Sequence, residues 1–173
     1  MLFVISGEVG AGKTTFFREV VDGLRSRGVR VAGFASERVF REGTMVGYDI
    51  VDIGTVARTP WLRRGGAGER IGPFAVSSEG LAAAAGIIDA SDPSGFLAVD
   101  ELGPLELEGW GFWTSLKPLL DAPGRSFLFV IRTVCLPGFQ ALFPDGDVHI
   151  FDAVAGKTAD ATAAEIALHV RQG

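Results

Sequence analysis

Gly7-Glu8-Val9-Gly10-Ala11-Gly12-Lys13-Thr14-Thr15 sets three glycines, one lysine and two hydroxyls in nine consecutive positions. The first eight satisfy the spacing G-x-x-x-x-G-K-[ST]. Each residue type has a task in holding phosphate. Gly7, Gly10 and Gly12 let the backbone curl until successive N–H groups point inward, a nest for anionic oxygens. A helix starting at Lys13 would set its positive dipole end beneath the same anion. Lys13 offers a slim, movable charge to the β- and γ-phosphates. Thr14 offers a hydroxyl to Mg²⁺, and Thr15 a donor toward the α-phosphate. The run Gly7 to Thr15 therefore reads as a nucleotide-binding loop. The alternative, a glycine-rich turn that binds nothing, fits poorly with the apolar run before it and the amphipathic stretch after it.

A second constellation ends another apolar run, Phe96-Leu97-Ala98-Val99-Asp100-Glu101. In open α/β sheets, ligands bind beyond the carboxyl ends of the strands. Asp100 there suits an indirect, water-mediated hold on Mg²⁺. Glu101 either orients and deprotonates an attacking water or stands as a solvated carboxylate at the start of the next loop. Phe127 to Ile131 ends in Arg132-Thr133, where Thr133 could sense a γ-phosphate. Arg132 is either an in-cis arginine finger or a surface charge. Arg58, Arg63 and Arg64 reach phosphates or lie solvated. His149 and His169 show no metal-ligand spacing to a third group. Cys135 has no recognisable partner and reads as a small buried residue.

The elements that must position these groups follow from periodicity. Leu2 to Ile5 has the look of a buried parallel strand. Phe16, Phe17, Val20, Val21 and Leu24 recur at helical spacing, predicting a helix from about Lys13 to Arg27 with Gly28 to end it. Val29 to Phe34 reads as a second strand, completing a βαβ crossover. Val39-Phe40 and Val46 to Ile53 flank Arg41-Glu42-Gly43-Thr44 as a β-hairpin. Gly54 to Gly68 reads as a loop, and Ile71 to Val76 as a strand weakened by Pro73. Ser77 or Ser78 caps an alanine-rich helix toward Asp89. Phe96 to Val99, Phe127 to Ile131 and Val148 to Phe151 read as strands. Trp110 to Leu120, disturbed by Pro118, and Asp160 to Val170, capped by Thr158, read as helices. In this reading Trp110 and Trp113 share a helix as core residues.

Composition bounds the rest. One domain, residues 1–173, fits the length, and a chain of this size buries about 70% of its unfolded surface. Sixteen basic against 21 acidic side chains give a net charge of −5, which argues against a nucleic-acid clamp. Arginine accounts for 13 of the 16 basic residues, so a lysine at position 13 stands out. One cysteine rules out an internal disulfide framework and fits a reducing cytoplasm. Met1 to Ile5 is apolar but followed at once by Ser6-Gly7 and preceded by no basic residue, unlike a leader. No apolar run approaches about 20 residues, so a soluble, cytoplasmic chain is expected.

With these residues in view, the chain resembles the small nucleoside-triphosphatase family known from thermophilic prokaryotes and from a human cancer-related member. Gly7 to Thr15 (GEVGAGKTT) matches its phosphate loop, and Val99 to Leu107 (VDELGPLEL) is similar to its acidic motif, including Gly103, Pro104 and Glu106. Gly33 to Tyr48 resembles its hairpin, with Glu37 at the matching acid. Ile71 to Val76 looks like its following strand, and Thr133 falls where the family has threonine. The resemblance implies a RecA-like P-loop fold, a mostly parallel sheet flanked by helices with a β-hairpin insertion. It also implies slow, Mg²⁺-dependent hydrolysis of ATP, GTP and other triphosphates to diphosphates. By the matched motifs, Lys13 and Thr14 contact phosphate and metal, Asp100 is the metal acid and Glu101 the base. One departure stands out: the family's Asn-Arg pair after the last strand is replaced by Gly156-Lys157. Two other activities remain open. A small nucleotide or metabolite kinase would use Gly54 to Arg70 as its lid. A nucleotide-dependent switch or assembly partner would use Leu105, Leu107 and Trp110 as its contact face; no protein partner is identified.

Overall fold

Side chains alternate across a strand, and here that alternation divides the core in two. Within β1 (Leu2–Gly7), Leu2 and Val4 join one apolar cluster, while Phe3 and Ile5 join the other. Leu97 and Val99 part from Phe96 and Ala98 in the same way, as do Phe127, Phe129 and Ile131 from Leu128 and Val130. A strand apolar on both sides needs helices on both sides. The computed structural model, which describes residues 1–144, 146–155 and 157–172, supplies them.

After β1 the chain forms α1 (Lys13–Ser26), β2 (Val31–Arg41), β3 (Thr44–Asp52), β4 (Arg58–Arg64), β5 (Arg70–Ile71), β6 (Phe74–Val76) and α2 (Ser78–Asp89). Then follow β7 (Phe96–Leu102), α3 (Pro104–Leu107), α4 (Trp113–Leu120), β8 (Ser126–Arg132), a 3₁₀ turn (Thr133–Cys135), α5 (Leu136–Ala141), β9 (Val148–Asp152) and α6 (Ala159–Gln172). Phe17, Val20 and Leu24 of α1 and Ala163 and Ile166 of α6 cover one face. Ala84 and Ile88 of α2, Leu116 of α4 and Phe139 of α5 cover the other.

The sheet runs β5-β6-β4-β3-β2-β7-β8-β1-β9. From β2 to β9 every pairing is parallel, and from β2 to β5 every pairing is antiparallel. β7 and β8 lie between β1 and β2, so the first crossover is long and the chain later fills the gap. This order brings the carboxyl ends of β1, β7 and β8 side by side.

Several expectations need correction. Val29 to Phe34 and Val39-Phe40 are not two strands: β2 runs unbroken from the parallel core into the hairpin. The stretch Gly54 to Gly68 is not a loop, because β4 occupies its centre. Tyr48 pairs with Leu62 but Asp49 pairs with Pro60, a bulge at which proline's missing N–H does no harm. With β4 and β5 paired into the sheet, residues 54–70 are not a free lid of the kind the kinase reading needs. Ile71 to Val76 is not one strand: Gly72-Pro73 turns the chain between β5, which ends at Ile71, and β6, which occupies Phe74–Val76. Trp110 lies outside the helix that begins at Trp113 and is 62% exposed. The other terminators stand as expected: Ser77 Oγ accepts from Gly80 N at 3.3 Å, and Thr158 Oγ1 from Ala161 N at 3.2 Å. No helix of the described residues is long and apolar enough to cross a membrane.

Candidate active site

Gly10 and Gly12 both take φ +82°, a conformation that costs a residue with a Cβ roughly 1–2 kcal/mol. Gly7 does not, and a Cβ there would meet only ordinary contacts; its freedom is not needed. Gly12 is the N-cap of α1, so no side chain caps that helix and its first turn holds no acid. The leading amides of a 14-residue helix are thus left for a ligand. Lys13 follows them, 7% exposed, with its ammonium donating to the Glu8 carbonyl at 2.7 Å.

Asp100 is buried at the end of β7, behind the loop. Burial is the main cause that pushes its carboxyl up to about 7; the neighbouring Glu101 charge adds to this, while a hydrogen bond with the Thr14 side chain and the charges of Lys13 and Arg18 oppose it. Its Oδ2 has no hydrogen-bond partner among the described residues. Between Asp100 and Leu102 the β7–β8 register slips by one residue, and bulges of this kind re-aim side chains beside active sites. The extra residue is Glu101, half-buried and ion-paired with Arg132 Nε from the end of β8. Arg132 stands beside Gly7 in the β8–β1 register, so it belongs to the site and is not a stray surface charge.

Val9, Gly10, Gly12, Lys13, Thr14 and Thr15 line a cleft of about 370 Å³, together with Glu101 and Arg132. Gly7, Glu8, Ala11 and Asp100 support the cleft without lining it. The opposite wall was only partly foreseen: Ser36, Glu37 and Arg38 of β2 and Tyr48 of β3 line it, and so does Arg18 of α1. Arg18 stands one helical turn after Thr14, a spacing that could have exposed it.

Other expected residues lie elsewhere. Arg58 pairs with Glu37 at 2.5 Å and Asp49 at 3.2 Å, Arg63 also pairs with Asp49, and Arg64 lies 5.3 Å from the centre of the Phe74 ring. None of the three lines the cleft. Thr133 is exposed and is not in the cleft wall either. Leu105 and Leu107 pack half-buried against the core, which leaves only Trp110 of the expected contact face exposed. His149 stacks on Phe3 with ring centroids 5.2 Å apart, and Cys135 is buried and free. Lys157 pairs with Glu165; Gly156 falls outside the described residues.

Known proteins resemble this chain in sequence and fold. A family model described as NTPase matches residues 2–167. The nucleoside-triphosphatase THEP1 of Archaeoglobus fulgidus is 34% identical over 135 residues, 76% of this chain and 77% of that one. The mouse cancer-related nucleoside-triphosphatase homolog is 29% identical over 145 residues, 77% and 74% of the two chains. The crystal structure of THEP1 from Aquifex aeolicus superposes with a TM-score of 0.77 at 20% identity, covering 98% of this chain and 99% of that one. The solution structure of a human cancer-related nucleoside triphosphatase gives 0.75 at 24%, covering 99% and 97%. The fold is RecA-like, of the P-loop class, and with nearly its whole length matched the chain belongs to the NTPase family.

Proposed function

We propose that this chain hydrolyses nucleoside triphosphates to diphosphate and phosphate, with Mg²⁺ and with wide tolerance of the base. One observation carries the reading: a partly exposed carboxylate, Glu101, shares a cleft with Lys13 and an uncapped helix N-terminus. That is a phosphate cradle with a base beside it.

Thr14 and Asp100 suit a hard cation, because both offer oxygen and Asp100 Oδ2 is buried without a partner. Bound there, Mg²⁺ would supply positive charge to the β- and γ-phosphate oxygens. The chain's own groups do the rest. The loop amides and Lys13 hold the triphosphate and offset charge as the bond to the γ-phosphorus breaks. Glu101 orients water in line with that bond and accepts its proton. Arg132 holds the Glu101 carboxylate in the cleft and adds positive charge at the same wall. Catalysis of this kind is positioning and electrostatics.

Base tolerance has support in composition. The amide side chains that read base edges are scarce: the chain has no asparagine and two glutamines, Gln140 and Gln172, and Gln140 does not line the cleft.

Phosphate release from ATP, GTP, CTP and UTP, with and without Mg²⁺, tests the reading in wild type and Glu101→Gln. All four should turn over only with Mg²⁺. The variant should lose about 10²–10³-fold in kcat while keeping its affinity for a nonhydrolysable triphosphate. Equal turnover by the variant would assign the base elsewhere, and turnover that strictly requires an acceptor would make the protein a kinase.

A further inference from the structure

At the opposite end of the parallel strands from the cleft, where β2, β7 and β8 begin, lies a cavity of about 470 Å³. Arg27, Arg30, Arg125 and Arg171 all line it, and no carboxylate of the described residues does. Two of the four are neutralised from outside the wall: Arg27 by Asp160 at 2.8 Å and Arg30 by Asp92 at 3.0 Å. Arg171 donates to the Arg27 carbonyl at 2.7 Å and has no carboxylate partner among the described residues.

Arg125 is the anomaly. It is 4% exposed, and its one side-chain hydrogen bond runs from Nη2 to the neutral hydroxyl of Ser91 at 2.5 Å. Its Nε and Nη1 are buried without an acceptor. A guanidinium cannot shed its proton to escape burial, and a buried charge short of hydrogen-bond partners is costly. Contact with the Phe127 ring at 5.7 Å offsets part of that, and so does the charge of Asp92, which pairs with Arg30 and makes no hydrogen bond with Arg125 among the described residues. The remainder calls for an anion.

We propose that this cavity is a second anion site, in which Arg125 and Arg171 hold a small polyvalent oxyanion bearing phosphate or carboxylate groups. Guanidinium forks match both groups in the same bidentate geometry. The volume lies within the range of small-molecule sites, about 300–1,000 Å³, and exceeds what one phosphate fills. The site is also independent of the nucleotide cleft. β8 runs seven residues from Ser126 at the cavity to Arg132 at the cleft, a span of roughly 20 Å. Both sites can be filled at once.

Titrating the ¹⁵N-labelled full chain with inorganic pyrophosphate, and separately with citrate, tests this by amide shifts. Saturable shifts are expected at Val29, Gly95 and Ser126, separate from any in residues 7–15, and the tighter probe identifies phosphate or carboxylate as the preferred group. Arg125→Met and Arg171→Ala should each weaken that binding at least tenfold. Without a probe, Arg125→Met should melt no lower than wild type, because an apolar chain replaces a buried charge short of hydrogen-bond partners; a purely structural arginine would give the opposite sign. Failure of both probes to saturate, or equal binding by both variants, overturns the proposal. If Arg125→Met does not fold, Arg171→Ala decides alone, and unchanged binding by it overturns the proposal.

Discussion

The two walls of the nucleotide cleft treat their charges differently. On the wall built by β1, α1 and β7, ionisable groups are buried and short of partners. Lys13 donates to a backbone carbonyl, and Asp100 keeps an unbonded Oδ2. Glu106 of α3, just after β7, leaves Oε1 unbonded as well. On the side built by β2 and β3 and backed by β4, the charges other than the exposed Arg38 satisfy one another. Glu37 takes Arg18 and Arg58, and Asp49 takes Arg58 and Arg63, a ladder across three strands and a helix. Glu101 with Arg132 stands between the two cases, paired but facing the cleft. Buried groups left short of partners cost stability, so they mark where a ligand completes the structure. The ladder marks scaffold.

If that contrast is right, the largest effect comes from the loop lysine. Lys13→Ala removes the one buried ammonium group of the cradle and should weaken nucleotide binding about 100-fold or more, roughly 3 kcal/mol, and lower kcat further. Calorimetry with a nonhydrolysable triphosphate and Mg²⁺ measures it. Unchanged affinity would mean that the amides alone hold the phosphates.

The same contrast explains what could be read from the chain and what could not. The phosphate loop and the Asp100-Glu101 pair were legible because their physics is local: contiguous residues shape one turn and one strand end. The opposite wall was not. Arg38 and Tyr48 meet only because β2 and β3 pair in a register that sets them opposite each other, and no local pattern reports which strands flank them. β4 was hidden by Pro60, which reads as a breaker until the bulge that accommodates it is known. α5 was missed because Pro137 and Gly138 read as helix breakers; Pro137 falls in the first turn, where its missing N–H is harmless, and burial of Phe139 against the core outweighs the glycine. The acceptance of β7 and β8 between β1 and β2 is likewise a property of the assembled sheet.

A smaller effect tests whether unpartnered burial is costly on the loop side. Glu106 is 3% exposed, and its carboxyl is pushed up to about 7, chiefly by burial and in smaller part by the Glu101 charge; hydrogen bonds from the Gly103 and Glu106 backbone oppose the rise. The unfolded chain gives up this proton near pH 4.5, before the folded one does. The group's contribution to stability is therefore complete below about pH 4.5 and is lost as pH rises toward 7. Glu106→Gln keeps an acceptor for Gly103 N, which now donates to Glu106 Oε2 at 3.1 Å, and cannot ionise. It should match wild type at pH 4.5 and exceed it at pH 8 by about 1–3 kcal/mol. Thermal melts at the two pH values measure this, and a variant weaker than wild type at pH 8 would show that the carboxylate is stabilised by something else.

The smallest effect belongs to the ladder. Arg58 is 46% exposed on its side chain, so solvent screens its pairs and each contributes about 0–1 kcal/mol. Removing it by Arg58→Ala strands neither acid: Glu37 retains Arg18, and Asp49 retains Arg63. The melting temperature should fall by less than about 3 °C, and less still in high salt. Because Glu37 lines the cleft while Arg58 does not, nucleotide affinity is the sharper readout and should stay within about twofold of wild type, under 0.5 kcal/mol. A tenfold loss in calorimetry would mean that Arg58 holds Glu37 in place for the nucleotide, and the ladder would then be part of the binding wall instead of its scaffold.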